Sequence, residues 1–145
     1  MSTTAQFCTF YVDGLFFGID VLRVQEVLRF QEMTGVPLAS PMVSGLINLR
    51  GQIVTAIDLR RRLALPDRPA DQLPMNVVVR SDDGAISLLA DEIGDVIEID
   101  GSTLEALPAS VRGAARELVT GVHKLKSSLL LVLDLDRALS LPEPS

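Results

Sequence analysis

The sequence predicts a mainly β domain, for three reasons. First, apolar residues make up 48% of the 145-residue chain and occur in short bursts rich in Val, Ile, Leu and Phe, which is typical of many short strands. Second, tight-turn residues such as Asp13-Gly14 separate neighbouring bursts, as they do in β-hairpins. Third, part of the first half of the chain recurs in the second half. Strands of this length and spacing indicate a barrel or a sandwich.

Three hairpins are predicted, and each consists of two apolar runs on either side of a Gly-containing turn. The paired runs, in chain order, are residues 7–12 with 15–19, 46–49 with 53–57, and 77–80 with 85–90. The turn of the third hairpin is expected at Asp83-Gly84. Short helical turns are predicted at residues 58–63 and 134–139, because each follows an apolar run and begins with an Asp suited to N-capping.

An internal repeat organises these elements. Residues 42–63 align without a gap on residues 118–139, at a constant offset of 76, and seven of the 22 positions are identical. Such a repeat indicates one supersecondary unit used twice, and each unit is large enough to close into a small barrel without exposed sheet edges. We therefore expect subdomains at about residues 6–65 and 75–141, joined by a proline-rich linker at about residues 66–74.

Charge and composition exclude several classes of function. The net charge of -6 argues against a protein that mainly binds nucleic-acid phosphates. Cys8 is the only cysteine and His123 the only histidine, so we predict no metal site and no cofactor. The N-terminal residues lack a secretory signal, and no apolar run approaches the roughly 18 residues that span a bilayer. We therefore expect a cytoplasmic protein that does not insert into the membrane.

No catalytic constellation is evident in the sequence. His123 is expected in a strand at a barrel surface, and Cys8 is expected to behave as a small hydrophobe in the first strand. Asp91-Glu92 falls in a predicted turn, and the three arginines at residues 60–62 are expected to form a solvated helix face. We therefore predict no catalytic residues and a protein that acts by binding.

Exposed charge at two predicted strand positions offers contact points for a partner. Arg50 lies at the end of a strand beside Gly51, and Glu26 lies in a segment whose side chains alternate inward and outward. An exposed Glu/Arg pair could orient a partner helix through charge-assisted hydrogen bonds. The composition alone favours the alternative of an ordinary surface salt bridge.

Three segments closely resemble the CheW family of bacterial chemotaxis coupling proteins: GIDVLRVQEV at residues 18–27, GLINLRGQIV at residues 45–54 and IDLR at residues 57–60. The resemblance extends from about residue 6 to residue 141. It implies two SH3-like five-stranded β-barrels side by side with short helical turns, and no catalytic activity. Two positions depart from the family pattern, since Thr55 replaces a common proline and Ser87 replaces a frequent glycine.

The resemblance also implies partners. It describes an adaptor that links the cytoplasmic helical hairpin of a chemoreceptor to the regulatory domain of the histidine kinase CheA in membrane receptor arrays, and that could form rings with the kinase. Receptor helices would dock in the groove between the barrels, at the matching positions Val24, Glu26, Gly45, Asn48, Arg50, Met75 and Ser87. Kinase contacts are expected at Leu104, Leu107, Pro108 and Val111. The alternative is a small ligand-binding protein or enzyme that uses the inter-barrel cleft.

Overall fold

The computed structural model describes residues 4–82, 84–100 and 103–141 and confirms the mainly β prediction. The strands in the described residues are β1 (Thr4–Val12), β2 (Leu15–Asp20), β3 (Val24–Leu28), β4 (Val43–Leu49), β5 (Gln52–Asp58), β6 (Met75–Ser81), β7 (Gly84–Ala90), β8 (Glu92–Asp100), β9 (Val119–Lys124) and β10 (Leu129–Leu133). The helices are a 3₁₀ turn (Val21–Arg23), α1 (Leu59–Arg62), α2 (Ala114–Leu118) and α3 (Leu135–Leu139). Asp83, in the expected third hairpin turn, lies outside the described residues.

The strands form two five-stranded sheets, which confirms the predicted pair of barrels. Barrel A has the strand order β8-β1-β2-β10-β9, and barrel B has the order β3-β6-β7-β5-β4. In each sheet one pair of strands is parallel, β2 with β10 in barrel A and β5 with β7 in barrel B. The other pairs are antiparallel and include the three hairpins predicted from the sequence.

The barrels are not the two halves of the chain. Barrel B is built from residues 24–90, whereas barrel A combines residues 4–20 with residues 92–141. The expected division into residues 6–65 and 75–141 therefore differs from the observed sheets, and the linker at residues 66–74 joins two strands of the same barrel. The reason is an exchange between the repeats: each barrel takes the first two strands of one repeat and the last three strands of the other.

The repeated glycines close the barrels. Thr34, which follows edge strand β3, pairs with Leu46 in edge strand β4 through two backbone hydrogen bonds of 2.8 Å. A Cβ at Gly45 would lie 2.7 Å from the Thr34 carbonyl oxygen, and a Cβ at Gly121 would lie 2.7 Å from the carbonyl oxygen of Glu105 in barrel A. Only glycine allows the two backbones to approach this closely. The glycine shared by both repeats is therefore explained by barrel closure.

The repeated polar residues hold the short helices in place. Asp58 and Asp134 each cap a helix, because their carboxylates accept hydrogen bonds from helical backbone amides at 3.0 and 3.2 Å. Arg61 donates to the carbonyl oxygen of Pro41 at 3.1 Å, and Arg137 donates to that of Glu117 at 3.2 Å. The two acceptors are 76 residues apart, so the arginines play the same part in both repeats.

One apolar core runs through both barrels. Its buried members come from β1, β2, β9 and β10 of barrel A, from β5, β6 and β7 of barrel B, and from α1, α2 and α3. Phe10 and Phe17 are fully buried within it, with their ring centroids 5.8 Å apart. Because the two barrels share this core, their relative position is set by side-chain packing as well as by the chain connections.

Candidate functional site

The expected contact pair is formed on barrel B. Arg50 occupies the turn between β4 and β5 with a φ of 52°, and its guanidinium contacts the carboxylate of Glu26 on β3. The Arg50 side chain is 72% exposed and that of Glu26 is 21% exposed. The backbone amide of Gly51 donates to Oδ1 of Asn48 at 2.9 Å, which shapes the turn. An exposed guanidinium is thus presented where the two edge strands of barrel B approach each other.

Two further expected residues also lie on strands of barrel B. Val24 is half-buried, lies two residues before Glu26 on β3 and packs against the shared core. Met75 is half-buried at the start of β6, opposite Ala90 of β7. We call the surface formed by Val24, Glu26, Asn48 and Arg50 the β3–β4 surface.

Two of the residues expected to contact a receptor are buried. Ser87 is fully buried, and its hydroxyl donates to Oδ1 of Asn76 at 2.7 Å. The Asn76 amide in turn donates to the carbonyl oxygen of Arg29 at 3.0 Å. Gly45 is buried under the backbone of Thr34, as described above. Ser87 and Gly45 therefore shape barrel B from within, and the Ser87 side chain presents no exposed surface to a partner.

A groove of about 710 Å³ is formed beside barrel A. Residues from barrel A and from the segment after α1 line it, among them Tyr11, Leu15, Leu63, Leu65, Val111 and Leu129. None of the seven residues expected at the receptor site is among its lining residues. This groove is therefore separate from the β3–β4 surface, and the seven residues stay a prediction for receptor binding.

The residues expected to contact the kinase lie in the segment between β8 and α2. Leu104 is 47% exposed. Leu107 and Val111 are half-buried and pack against the core, and Val111 also lines the groove. The carbonyl oxygen of Pro108 accepts a hydrogen bond from Arg116 at 3.2 Å. The segment thus offers one exposed leucine next to an apolar groove.

A buried ionic cluster was not predicted from the sequence. Asp91, between β7 and β8, accepts hydrogen bonds from Arg60 at 2.6 and 2.9 Å and from Arg68 at 2.8 Å. It also accepts one from the backbone amide of Asp13 at 2.7 Å. Arg68 reaches Asp58 at 3.5 Å. The expectations that Arg60 and Asp91 are solvated are therefore wrong, although Arg61 is exposed as expected.

The cluster favours the charged forms of its members. Burial raises the pKa of Asp91, but hydrogen bonds from Arg60, the Asp13 amide and Arg68 lower it more, so the net pKa lies below its ordinary value. The hydrogen bond to Asp91 is the largest of the effects that raise the pKa of Arg60. Five hydrogen bonds from two arginines and a backbone amide occupy this buried carboxylate, which is typical of a structural role.

His123 is also internal. It is buried, its Nδ1 lies 2.9 Å from the Thr103 hydroxyl, and its ring lies 5.6 Å from that of Phe7. The expectation of a histidine at the barrel surface is therefore wrong. In residues 4–82, 84–100 and 103–141, no group of three His, Cys, Asp or Glu side chains is placed to hold a metal ion. None of the helices in this part of the chain is long and apolar enough to cross a membrane.

Comparisons with known proteins agree with this architecture. The model of the CheW-like domain family matches residues 6–143. The chemotaxis protein CheW of Bacillus subtilis is 30% identical over 139 residues, covering 96% of this chain and 89% of that protein. The protein of the same name from Treponema pallidum is 28% identical over 142 residues, covering 95% and 84%. The crystal structure of the scaffolding protein TtCheW from Thermoanaerobacter tengcongensis superposes with a TM-score of 0.84 at 25% identity, covering 97% and 94%.

Proposed function

We propose, since this chain belongs to the CheW-like domain family, that it is a non-catalytic chemotaxis adaptor that couples chemoreceptors to the histidine kinase CheA. The family and the scaffolding protein of the same fold support the adaptor role. The proposal names two partners. One is the cytoplasmic helical hairpin of a chemoreceptor, and the other is the regulatory domain of the kinase. The adaptor would join receptor arrays through these contacts.

The observation that carries the receptor assignment is the exposed Glu26–Arg50 pair of the β3–β4 surface. An amphipathic helix presents apolar side chains at positions i, i+3, i+4 and i+7, and Val24 offers an apolar contact beside the pair. A carboxylate on the helix would form charge-assisted hydrogen bonds with Arg50. The polar pair would then fix the orientation of the helix, while Val24 and its neighbours supply apolar area.

The kinase assignment uses barrel A. Leu104 is an exposed apolar residue, and Val111 lies in the groove close by in sequence. A leucine-rich or valine-rich loop of the kinase regulatory domain would bury these residues. The two assigned surfaces lie on different barrels, so one adaptor could hold both partners at once and raise their effective concentration.

The groove does not favour an enzyme. The described residues that line it include Tyr11, Ser110 and Ser128 but no Asp, Glu, His, Cys or Lys, so neither serine has a general base in the lining to activate it. Asp91 and His123 are held by fixed hydrogen bonds inside the protein. We therefore assign the groove to protein contact and not to a substrate.

Co-sedimentation with receptor fragments tests the receptor assignment. The Arg50→Asp variant would place a carboxylate against Glu26, so we expect it to bind a receptor cytoplasmic fragment at least tenfold more weakly while it stays folded. The matched control is Lys126→Asp, because Lys126 is exposed at the equivalent position of barrel A. Equal binding by Arg50→Asp and the control would overturn the assignment of the β3–β4 surface.

A further inference from the structure

The chain passes between the two barrels at two points in the described residues. The first is the 3₁₀ turn Val21–Arg23, between β2 of barrel A and β3 of barrel B. The second is Asp91, between β7 of barrel B and β8 of barrel A. Movement of one barrel relative to the other would affect these two crossings, the shared core and the hydrogen bonds from Arg62 to the carbonyl oxygens at the end of α3.

The crossing at Asp91 is rigid. The side chains of Arg60, Arg68 and Asp91 are each less than 10% exposed, and short hydrogen bonds join them. Arg60 also lies 3.7 Å from the carboxylate of Asp13 in barrel A. Breaking a buried ion pair leaves an uncompensated charge, which is strongly unfavourable. This crossing is therefore expected to keep one arrangement.

The crossing at Val21–Arg23 is held by contacts of side chains at the protein surface. The guanidinium of Arg23 donates to the carboxylate of Asp136 on α3 of barrel A at 3.1 Å and to the carbonyl oxygen of Arg80 in barrel B at 3.1 Å. Arg80 donates back to the carbonyl oxygens of Leu22 and Val24 at 3.0 Å. The Arg23 and Asp136 side chains are 37% and 82% exposed. Water and salt can replace such contacts at little cost.

The exposed crossing lies next to the assigned receptor surface. Val24 of the β3–β4 surface directly follows Arg23 in the chain, and its carbonyl oxygen accepts one of the hydrogen bonds from Arg80. A helix that docks on Val24 therefore lies close to Arg80, which holds the carbonyl oxygens of Leu22 and Val24, and to Arg23, which connects this turn to Asp136 of barrel A. Barrel A carries the surface assigned to the other partner.

We infer that the Arg23–Asp136 ion pair couples the two partner-binding surfaces, so that occupancy of one surface changes the affinity of the other. The coupling presupposes the two-partner adaptor function proposed above. Arg23 acts here as a positioning residue, since it links β3 to α3 and need not touch either partner. Because the pair is exposed, the coupling factor is expected to be about fivefold or less and to decline with salt.

A binding cycle with the full-length protein tests this coupling. The affinity of a receptor cytoplasmic fragment is measured with and without saturating kinase regulatory domain, at low and high salt. For the wild-type protein we expect a twofold to fivefold difference at low salt that is smaller at high salt. For Asp136→Asn we expect the difference to disappear, while each separate affinity stays within twofold of wild type. Glu117→Gln is the control, because Glu117 is exposed on α2 of barrel A.

The possible outcomes distinguish a failure of the coupling from a failure of the proposed adaptor function. A wild-type protein that binds neither partner would overturn the adaptor function itself. If wild type binds both partners but Asp136→Asn leaves the coupling unchanged, only the role of the Arg23–Asp136 pair is overturned. The same conclusion holds if Asp136→Asn and Glu117→Gln lose the coupling to the same extent. A third outcome, in which Asp136→Asn weakens both separate affinities, would make the pair a contact or folding residue and would also overturn the inference.

Discussion

Replacing Asp91 by asparagine removes the negative charge at the centre of the buried cluster while it keeps the shape of the side chain. Asp91 accepts hydrogen bonds from Arg60, Arg68 and the amide of Asp13. The variant leaves both buried guanidinium groups without this carboxylate and adds an amide donor that faces other donors. Breaking a buried pair in this way typically costs about 3–5 kcal/mol. That is a large part of the roughly 5–15 kcal/mol that stabilises a domain.

Equilibrium unfolding in urea, followed by circular dichroism, measures this loss. The control is Asp71→Asn, because Asp71 is exposed in the segment between α1 and β6, and its free energy of unfolding is expected to stay within about 0.5 kcal/mol of wild type. A loss below 1 kcal/mol for Asp91→Asn would refute the reasoning, since it would mean that the cluster neither holds its charges tightly nor depends on Asp91.

The pH dependence of stability provides a second measure of the same carboxylate. The pKa of Asp91 is lower in the folded protein than in the unfolded chain, so its stabilising contribution is fully present above the unfolded value of about 4. The contribution declines as the pH falls through the folded pKa, because the unfolded state binds the proton first. We expect this part of the acid sensitivity to be absent from Asp91→Asn. The prediction is contradicted if the difference in free energy of unfolding between wild type and variant stays the same from pH 7 to pH 2.

Two further predictions concern the barrels themselves. Gly45→Ala is expected to destabilise the protein by about 1–3 kcal/mol, because the added methyl group meets the Thr34 carbonyl oxygen. Gly35→Ala is the control, since a Cβ there meets nothing within 4 Å. Equal urea unfolding midpoints for the two variants would contradict the closure mechanism. Burial raises the pKa of the Cys8 thiol, so a thiol reagent at pH 8 should label the native protein much more slowly than the unfolded protein, and equal labelling rates would show that β1 is not held in barrel A.

The sequence predicted the strands and hairpins better than their assembly. Turn residues such as Asp13-Gly14 act locally, so a hairpin can be recognised from a few neighbouring residues. The repeat predicted two barrels correctly, but an alignment of two equivalent copies does not show which first hairpin pairs with which last three strands. Both arrangements give the same local contacts. The exchange between repeats is therefore visible only in the sheet order.

The sequence indicated the surface position of Arg50 but missed the buried polar residues. The Arg50 turn was readable from its glycine, and the contact with Glu26 bridges the closure of barrel B. Ser87 lies in a run of β7 whose residues are buried on both faces, so alternation could not tell its orientation. Arg60 and Asp91 are 31 residues apart in sequence, and no local pattern connects an arginine in a short helix with an aspartate after a distant strand.

In the order of the chain, the strands of barrel B are inserted between the first two and the last three strands of barrel A. This order has a consequence for folding during synthesis on the ribosome. Residues 24–90 emerge in one continuous stretch, so barrel B can assemble as soon as β7 is released. The first hairpin cannot be completed at that stage, because β1 must wait for β8 and β2 must wait for β10. The phenylalanines that this hairpin buries in the folded protein, such as Phe10 and Phe17, stay exposed until β8 and β10 have been synthesised. The nascent chain therefore needs protection for its first hairpin rather than for its middle.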